Sequence, residues 1–200
     1  MSYKFTITLA HSEPKIYRKV IVPEELTFAA FHRVIQIAMG WQNCHLYVFY
    51  LGAPYNSNYI EQRYEDQEDY GIISHEKFDA ETIVLRVIFG EGLKKKINYI
   101  YDIGDGWSHH ISLLKNPKEE VLFPICIEGE GACPPEDCGG LGGYYGMLDI
   151  LNSKGNTQEK REYREWLGLS AKMNYKEVFK FDLQKVNEDL SRHFTISPLD

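Results

Sequence analysis

A chain of 200 residues, 44% hydrophobic and 26% charged, can bury roughly 70% of its unfolded surface, which excludes a collagen, a coiled coil and a disordered tail. Its net charge of −7 leaves no Lys/Arg surplus for generic binding along a nucleic-acid backbone. No run approaches the ~20 apolar residues of a membrane span.

The N-terminus alternates apolar and polar positions through Tyr3, Phe5, Ile7 and Leu9, so it reads as a strand and not as a signal peptide. That implies a cytoplasmic protein. Residues 2–9 and 15–22 form the expected hairpin about a turn containing Pro14. A helix follows at 27–39, with Thr27 as its cap and Gly40 at its exit. Residues 45–51 read as a buried strand. Residues 52–81 are polar, and Glu61, Glu65, Asp66, Glu68 and Asp69 read as a solvated acidic loop ahead of a cation site. Residues 82–89 have β-branched strand character, with a short helix as the alternative. Strands at 93–102 and 107–114 flank a tight turn at Gly104-Asp105-Gly106. Residues 115–143, rich in Pro and Gly, read as one long irregular stretch, a type of segment that is often functional. Helices are expected at 143–152, at 157–167 with Asn156 as cap, and at 183–193 with Asp182 as cap. There is no βαβ alternation. The fold class is therefore α+β, a single domain over residues 1–200 with a mainly antiparallel sheet.

Two segments concentrate the chemistry. In the strand from 107, Trp107, His109 and Ile111 share a face, so His109 is either a hydrogen-bonded core histidine or a ligand or general base beside Asp102 or Asp105. The second segment holds Cys126, Cys133 and Cys138, with Glu136 and Asp137 between the last two. Three thiols invite zinc, with His109 as the tentative fourth ligand and His45 or Cys44 as substitutes. The intervening lengths of six and four residues differ from the usual ribbon spacing, and the opposing reading is three inert thiols.

His45 opens a strand after a loop, a suitable place for a functional side chain, whereas His32 borders the apolar stripe of its helix and reads as structural. The glycines at 139–143 precede a helix. However, no Lys-Ser/Thr follows and two carboxylates lie just upstream, so they read as a sharp turn and not as a phosphate cradle. No nucleophile-elbow motif is present.

Three blocks carry a family likeness. The first is Ile16-Tyr-Arg-Lys-Val-Ile-Val-Pro23 with Phe31-His-Arg-Val-Ile-Gln36, Ala38-Met-Gly-Trp41 and His45-Leu46. The second is Tyr99-Ile-Tyr-Asp-Ile-Gly-Asp-Gly-Trp-Ser-His109. The third is Cys133-Pro-Pro-Glu-Asp-Cys-Gly-Gly140 with Gly143-Tyr144. Over about residues 3–190 the chain resembles the plasmid open-reading-frame-three-like family, with Tyr17 where that family often has Trp and Ile103 where it often has Phe. The resemblance implies a cytosolic protein and does not specify an activity; an accessory role for plasmids or mobile DNA, acting through a protein partner, is a further expectation beside the two functions below. The resolvase label that some relatives carry is not supported, because no serine sits among phosphate-gripping arginines.

Two functions follow. One is a binding or interaction module for a protein partner or small ligand, with the Cys-Pro-Pro-Glu-Asp-Cys loop packed near the Asp-Gly-Asp-Gly-Trp-Ser-His turn and zinc as its stabilising ion. The other is a metal-assisted hydrolase, with His45, Asp102, Asp105 and His109 as ligands and Glu136 or Asp137 as general base.

Overall fold

A computed structural model of the protein describes residues 1–62, 75–90, 94–114, 120–170 and 172–195. The first two strands, β1 (Ser2–Leu9) and β2 (Tyr17–Pro23), form the expected antiparallel hairpin. Helix α1 (Phe28–Met39) follows. Thr27 Oγ1 accepts from the Ala30 amide at its start, and Gly40 closes it in a left-handed conformation. Next come β3 (Tyr47–Tyr50), β4 (Tyr59–Glu61), β5 (Lys77–Asp79) and the short helix α2 (Leu85–Phe89). Then β6 (Lys96–Tyr101) and β7 (Trp107–Leu113) pair antiparallel, β8 (Ile125–Glu130) follows, and the described chain ends in α3 (Gly140–Asn152), α4 (Gln158–Trp166), α5 (Tyr175–Val178) and α6 (Leu183–Thr195).

The eight strands form one sheet in the order β5-β4-β3-β6-β7-β1-β2-β8, antiparallel except for the β4–β5 pair. The architecture is α+β. Helix α1 lies against one face, where Phe31 meets Phe5 at 5.0 Å between ring centroids and Phe28 meets Phe49 at 5.0 Å. Alternation decides which side chains enter this core. Phe5, Ile7, Tyr99, Tyr101, Trp107, His109 and Ile111 point inward, as period-two strands require. Among the described residues no helix is long and apolar enough to cross a membrane.

Several local expectations are corrected. Residues 85–89 take the helical alternative and not the strand. Val84 makes only an isolated bridge to Thr27, after which Leu85 and Phe89, four residues apart, share a buried face. The stretch 115–143 is not wholly irregular, because Ile125–Glu130 adds to the free edge of β2. Its short run Ile-Cys-Ile-Glu-Gly-Glu carries little β signal of its own, and pairing with β2 supplies the hydrogen bonds. Strands β4 and β5 and the single turn α5 are further elements that the local sequence pattern does not signal. Thr157, not Asn156, caps α4 by accepting from the Lys160 amide. Asp182 does cap α6, through the Lys185 amide. Of the acidic run, Glu61 ends β4 and pairs with Lys77 at 2.7 Å, while Glu65, Asp66, Glu68 and Asp69 lie outside the described residues.

Candidate metal centre

Three loops converge: residues 40–46 after α1, residues 102–106 between β6 and β7, and residues 133–139 before α3. The convergence begins where α1 stops. Had the helix run on, the Gln42 amide would have bonded the Ala38 carbonyl. Instead the Ala38 carbonyl accepts from Arg18 Nε at 2.7 Å, and the Gln42 amide donates to Glu136 Oε1 at 2.8 Å. The indole of Trp41 donates to the Pro134 carbonyl at 3.1 Å, so both ends of the Pro-Pro-Glu loop are tied to the helix exit.

Tyr101 makes the next connection. Its hydroxyl accepts from the Cys44 amide at 3.0 Å and donates to Glu136 Oε1 at 3.1 Å. Asp102 begins the turn, its Oδ1 accepting from the amides of Gly104 and Asp105. This turn is longer than the Asp105-Gly106 reversal the sequence suggested. Asp105 Oδ2 accepts from the Gly139 amide at 3.0 Å, locking the turn to the start of α3. The packing there is close enough to require glycine. A Cβ on Gly140 would lie 2.6 Å from the Asp105 carbonyl oxygen, and one on Gly143 only 1.7 Å from that of Cys138.

The result is a junction of four side chains. His45 Nε2 lies 3.0 Å from Asp137 Oδ1, 3.6 Å from Asp102 Oδ2 and 3.8 Å from Glu136 Oε2. The approach to Asp137 is out of hydrogen-bond alignment, and neither His45 Nε2 nor Glu136 Oε2, both shielded from water, has a hydrogen bond. Such orphaned buried atoms cost about 1–3 kcal/mol each. Asn43, Asp102 and Asp137 hold positive φ angles of 57°, 54° and 54°. Backbone of this kind clusters at functional sites.

All three carboxylates lie within 3.8 Å of His45 Nε2, and a cation bound there would offset their negative charge. Among the described residues their ion pairs go to His45 and not to a Lys or Arg. The centre also has an approach from solvent. The Asp137 side chain is 67% exposed, and a cleft of about 390 Å³ runs past Asn43, Cys44, His45 and Tyr47.

Of the residues singled out from sequence, His45, Asp102, Glu136 and Asp137 meet here, and Asp105 stands behind them as a loop clamp. His109 does not join them. It is fully buried beside Trp41 and Tyr99, at 5.1 and 5.3 Å between ring centroids. Burial holds its pKa down to about 3, with the Tyr99 and Trp107 backbone offsetting part of the effect. Neither ring nitrogen makes an aligned hydrogen bond.

The thiols do not gather with it. Among the described residues, the groupings whose ligand atoms all lie within 4.8 Å of one another are Cys44–His45–Glu136 and His45–Asp102–Asp137. The set Cys126, Cys133, Cys138 and His109 is not one of them. Burial pushes the Cys126 and Cys133 thiols up, and the Cys138 thiol up to about 12, so each stays protonated at neutral pH. His32 is buried, stacked on Tyr47 at 3.6 Å and bonded to the Tyr99 hydroxyl at 2.8 Å.

Two residues essential to this arrangement carried no sequence signal of their own. Tyr101 reads as one more inward aromatic of a strand, and Arg18 as an interruption of one. Arg18 is in fact buried and donates to the carbonyls of Tyr17, Ala38, Glu130 and Gly131.

The model of the plasmid pRiA4b ORF-3-like protein family matches residues 1–189, so it spans all three loops. The chain belongs to this family. It is 33% identical over 173 residues to the uncharacterized protein y4hQ of Sinorhizobium fredii, covering 84% of this chain and 81% of that one. Its fold is similar to the crystal structure of a protein of unknown function from Methanosarcina mazei Go1, with a TM-score of 0.72 and 28% identity over 92% of this chain and 96% of that one. Within this family chain, the conjunction of the second and third sequence blocks is a physical contact, made by Asp105 on Gly139 and by Tyr101 on Glu136.

Proposed function

We propose that this protein is a divalent-metal-assisted hydrolase of the cytosol. His45 and Glu136 anchor the ion, and the carboxylates of Asp102 and Asp137 stand at the same junction. An ion of the zinc class held there would lower the pKa of its bound water from about 15.7 to about 7 and so would supply a nucleophile at neutral pH. The protein's own part is to fix the donors and to accept a proton. Asp137, the exposed member, is placed for general-base work at the solvent side. The cleft past Cys44 and His45 gives a small substrate access. The single observation that carries this reading is the convergence of three carboxylates on a shielded, unbonded His45 Nε2. Four free cysteines suit a reducing compartment.

A metal-stabilised interaction module is the second reading. It is favoured by the two overlapping three-donor groups around His45, Cys44–His45–Glu136 and His45–Asp102–Asp137, which supply more protein ligands than a catalytic ion with an open position needs. The test is elemental analysis and calorimetric metal titration of untagged protein purified without chelator. Ester, amide and phosphoester substrates are then screened with the loaded protein. One equivalent of metal, lost in Glu136→Gln and His45→Gln but retained in the Cys133→Ser, Cys138→Ser double variant, supports the centre. The reverse pattern transfers the metal to the thiols and sinks it. Metal binding without turnover on any substrate selects the interaction module.

A further inference from the structure

We infer that Cys44 is the third protein ligand of this centre, and that the centre therefore selects a thiophilic divalent ion of the zinc class over magnesium or calcium. The inference rests on the metal-centre reading above and adds the identity of the ion.

Cys44 immediately precedes His45 and is exposed in the cleft, apart from Cys126, Cys133 and Cys138. Its Sγ, the His45 imidazole and the Glu136 carboxylate present ligand atoms within 4.8 Å of one another. Donors around one tetrahedral zinc ion are roughly 3–4 Å apart, so a small contraction gathers these three. Glu136 supplies the independent sign of a missing ligand. Its side chain is 8% exposed, and its Oε2 is buried with no hydrogen bond.

The three donors are pre-positioned by one hydroxyl. Tyr101 holds the Cys44 amide and Glu136 Oε1, and Cys44 Sγ lies 3.9 Å from the same oxygen. The hydroxyl has a single proton, which goes to Glu136. It therefore does not compete with a metal for the sulfur. The left-handed turn at Asn43 swings Cys44 into this position. One thiolate, one imidazole and one carboxylate form a three-ligand set of the kind that leaves a fourth position for water. Asp102 and Asp137 then stand beside the ion as proton acceptors. A hard ion such as magnesium gains nothing from the thiolate, whereas zinc and cobalt do.

The test is cobalt substitution of the intact protein, read by absorption spectroscopy, in wild type, Cys44→Ser, Cys44→Ala and the Cys133→Ser, Cys138→Ser double variant. A thiolate-to-cobalt charge-transfer band in wild type and the double variant, absent from both Cys44 variants, is the expected result. Zinc affinity should fall in Cys44→Ala by at least the roughly 100-fold that marks the upper range for outer-shell partners, with magnesium binding unchanged. Because Cys44 is exposed, the variants should keep the wild-type circular dichroism. Cobalt ligand-field bands without the charge-transfer band, equal in wild type and Cys44→Ser, would overturn the assignment while leaving a metal on His45 and the carboxylates. A charge-transfer band lost only in the double variant would also overturn it. Failure of wild type to bind cobalt or zinc at all would remove the centre itself, and this inference with it.

Discussion

Replacing Arg18 with Met should destabilise the protein by about 3 kcal/mol. Arg18 is 1% exposed and its four hydrogen bonds, at 2.7, 2.7, 2.7 and 3.0 Å, all end on main-chain carbonyls. Its guanidinium also lies 4.3 Å from the Phe181 ring centroid. Two effects oppose each other. Burying the charge is costly, and replacing a buried charged group together with its partners by apolar groups is often neutral. Here the partners are carbonyls, which stay behind when the side chain goes. The bond to Ala38 is fully buried, and its orphaned oxygen costs about 2 kcal/mol. The other three are part-buried and recover some hydration, so about 0.5–1 kcal/mol each is a fair value. Loss of the cation–π contact adds about 1 kcal/mol, and relief from burying the charge subtracts about 2 kcal/mol. The orphaned carbonyls therefore win. In a chain of this size such a loss lowers Tm by about 10 °C, and urea unfolding of wild type, Arg18→Met and Arg18→Lys gives ΔΔG directly. Met retains the apolar stem, so a cavity does not confound the comparison. A ΔΔG within about 1 kcal/mol of zero for Met would refute the argument and show that desolvation cancels the four bonds.

Further outcomes follow from the same contacts. Stability should fall on mild acidification. Burial depresses His32 to about 4 and His109 to about 3, so the unfolded chain binds more protons than the native one below the ordinary histidine value near 6.5. The stability these groups contribute is present above that value and lost as pH falls toward their native pKa values, by about 1.4 kcal/mol per unit for each group, or about 2 kcal/mol each at pH 5. Urea midpoints against pH check this, and His109→Phe should flatten the slope by its share. Tyr101→Phe strips the hydroxyl from the Cys44 amide and Glu136 Oε1, and should cost about 1–3 kcal/mol in stability and 10–100-fold in metal affinity, measured by melting and calorimetry. Gly143→Ala should lower stability by more than about 3 kcal/mol, because its Cβ would overlap the Cys138 carbonyl oxygen, and an unchanged Tm would show that the loop yields freely.

Much of the scaffold could be read locally. The alternation in Tyr3, Phe5, Ile7 and Leu9, the capped stripe of α1, and the parity that turns Trp107, His109 and Ile111 inward all appear as expected. Each is written in neighbouring residues, since strand and helix periods set side-chain direction from spacing alone. The same parity sends His109 to the core. The centre was only half legible. His45, Asp102, Glu136 and Asp137 stood out as polar residues in unusual segments, but the thiols competed with them for the metal.

Residue types and local periods were thus determined by the sequence. The tertiary structure alone decided which loops meet. Inside Cys133-Pro-Pro-Glu-Asp-Cys138 no helical or strand period dictates where a side chain points. Glu136 is aimed instead by the Gln42 amide and the Tyr101 hydroxyl, 94 and 35 residues away in the chain. Strand β8 forms because β2 presents a free edge, and Arg18 is tolerated inside because three carbonyls from distant segments, those of Ala38, Glu130 and Gly131, join that of Tyr17 around it. Such long-range partners, not local propensity, place His45 against three carboxylates and leave Cys126, Cys133 and Cys138 outside the centre.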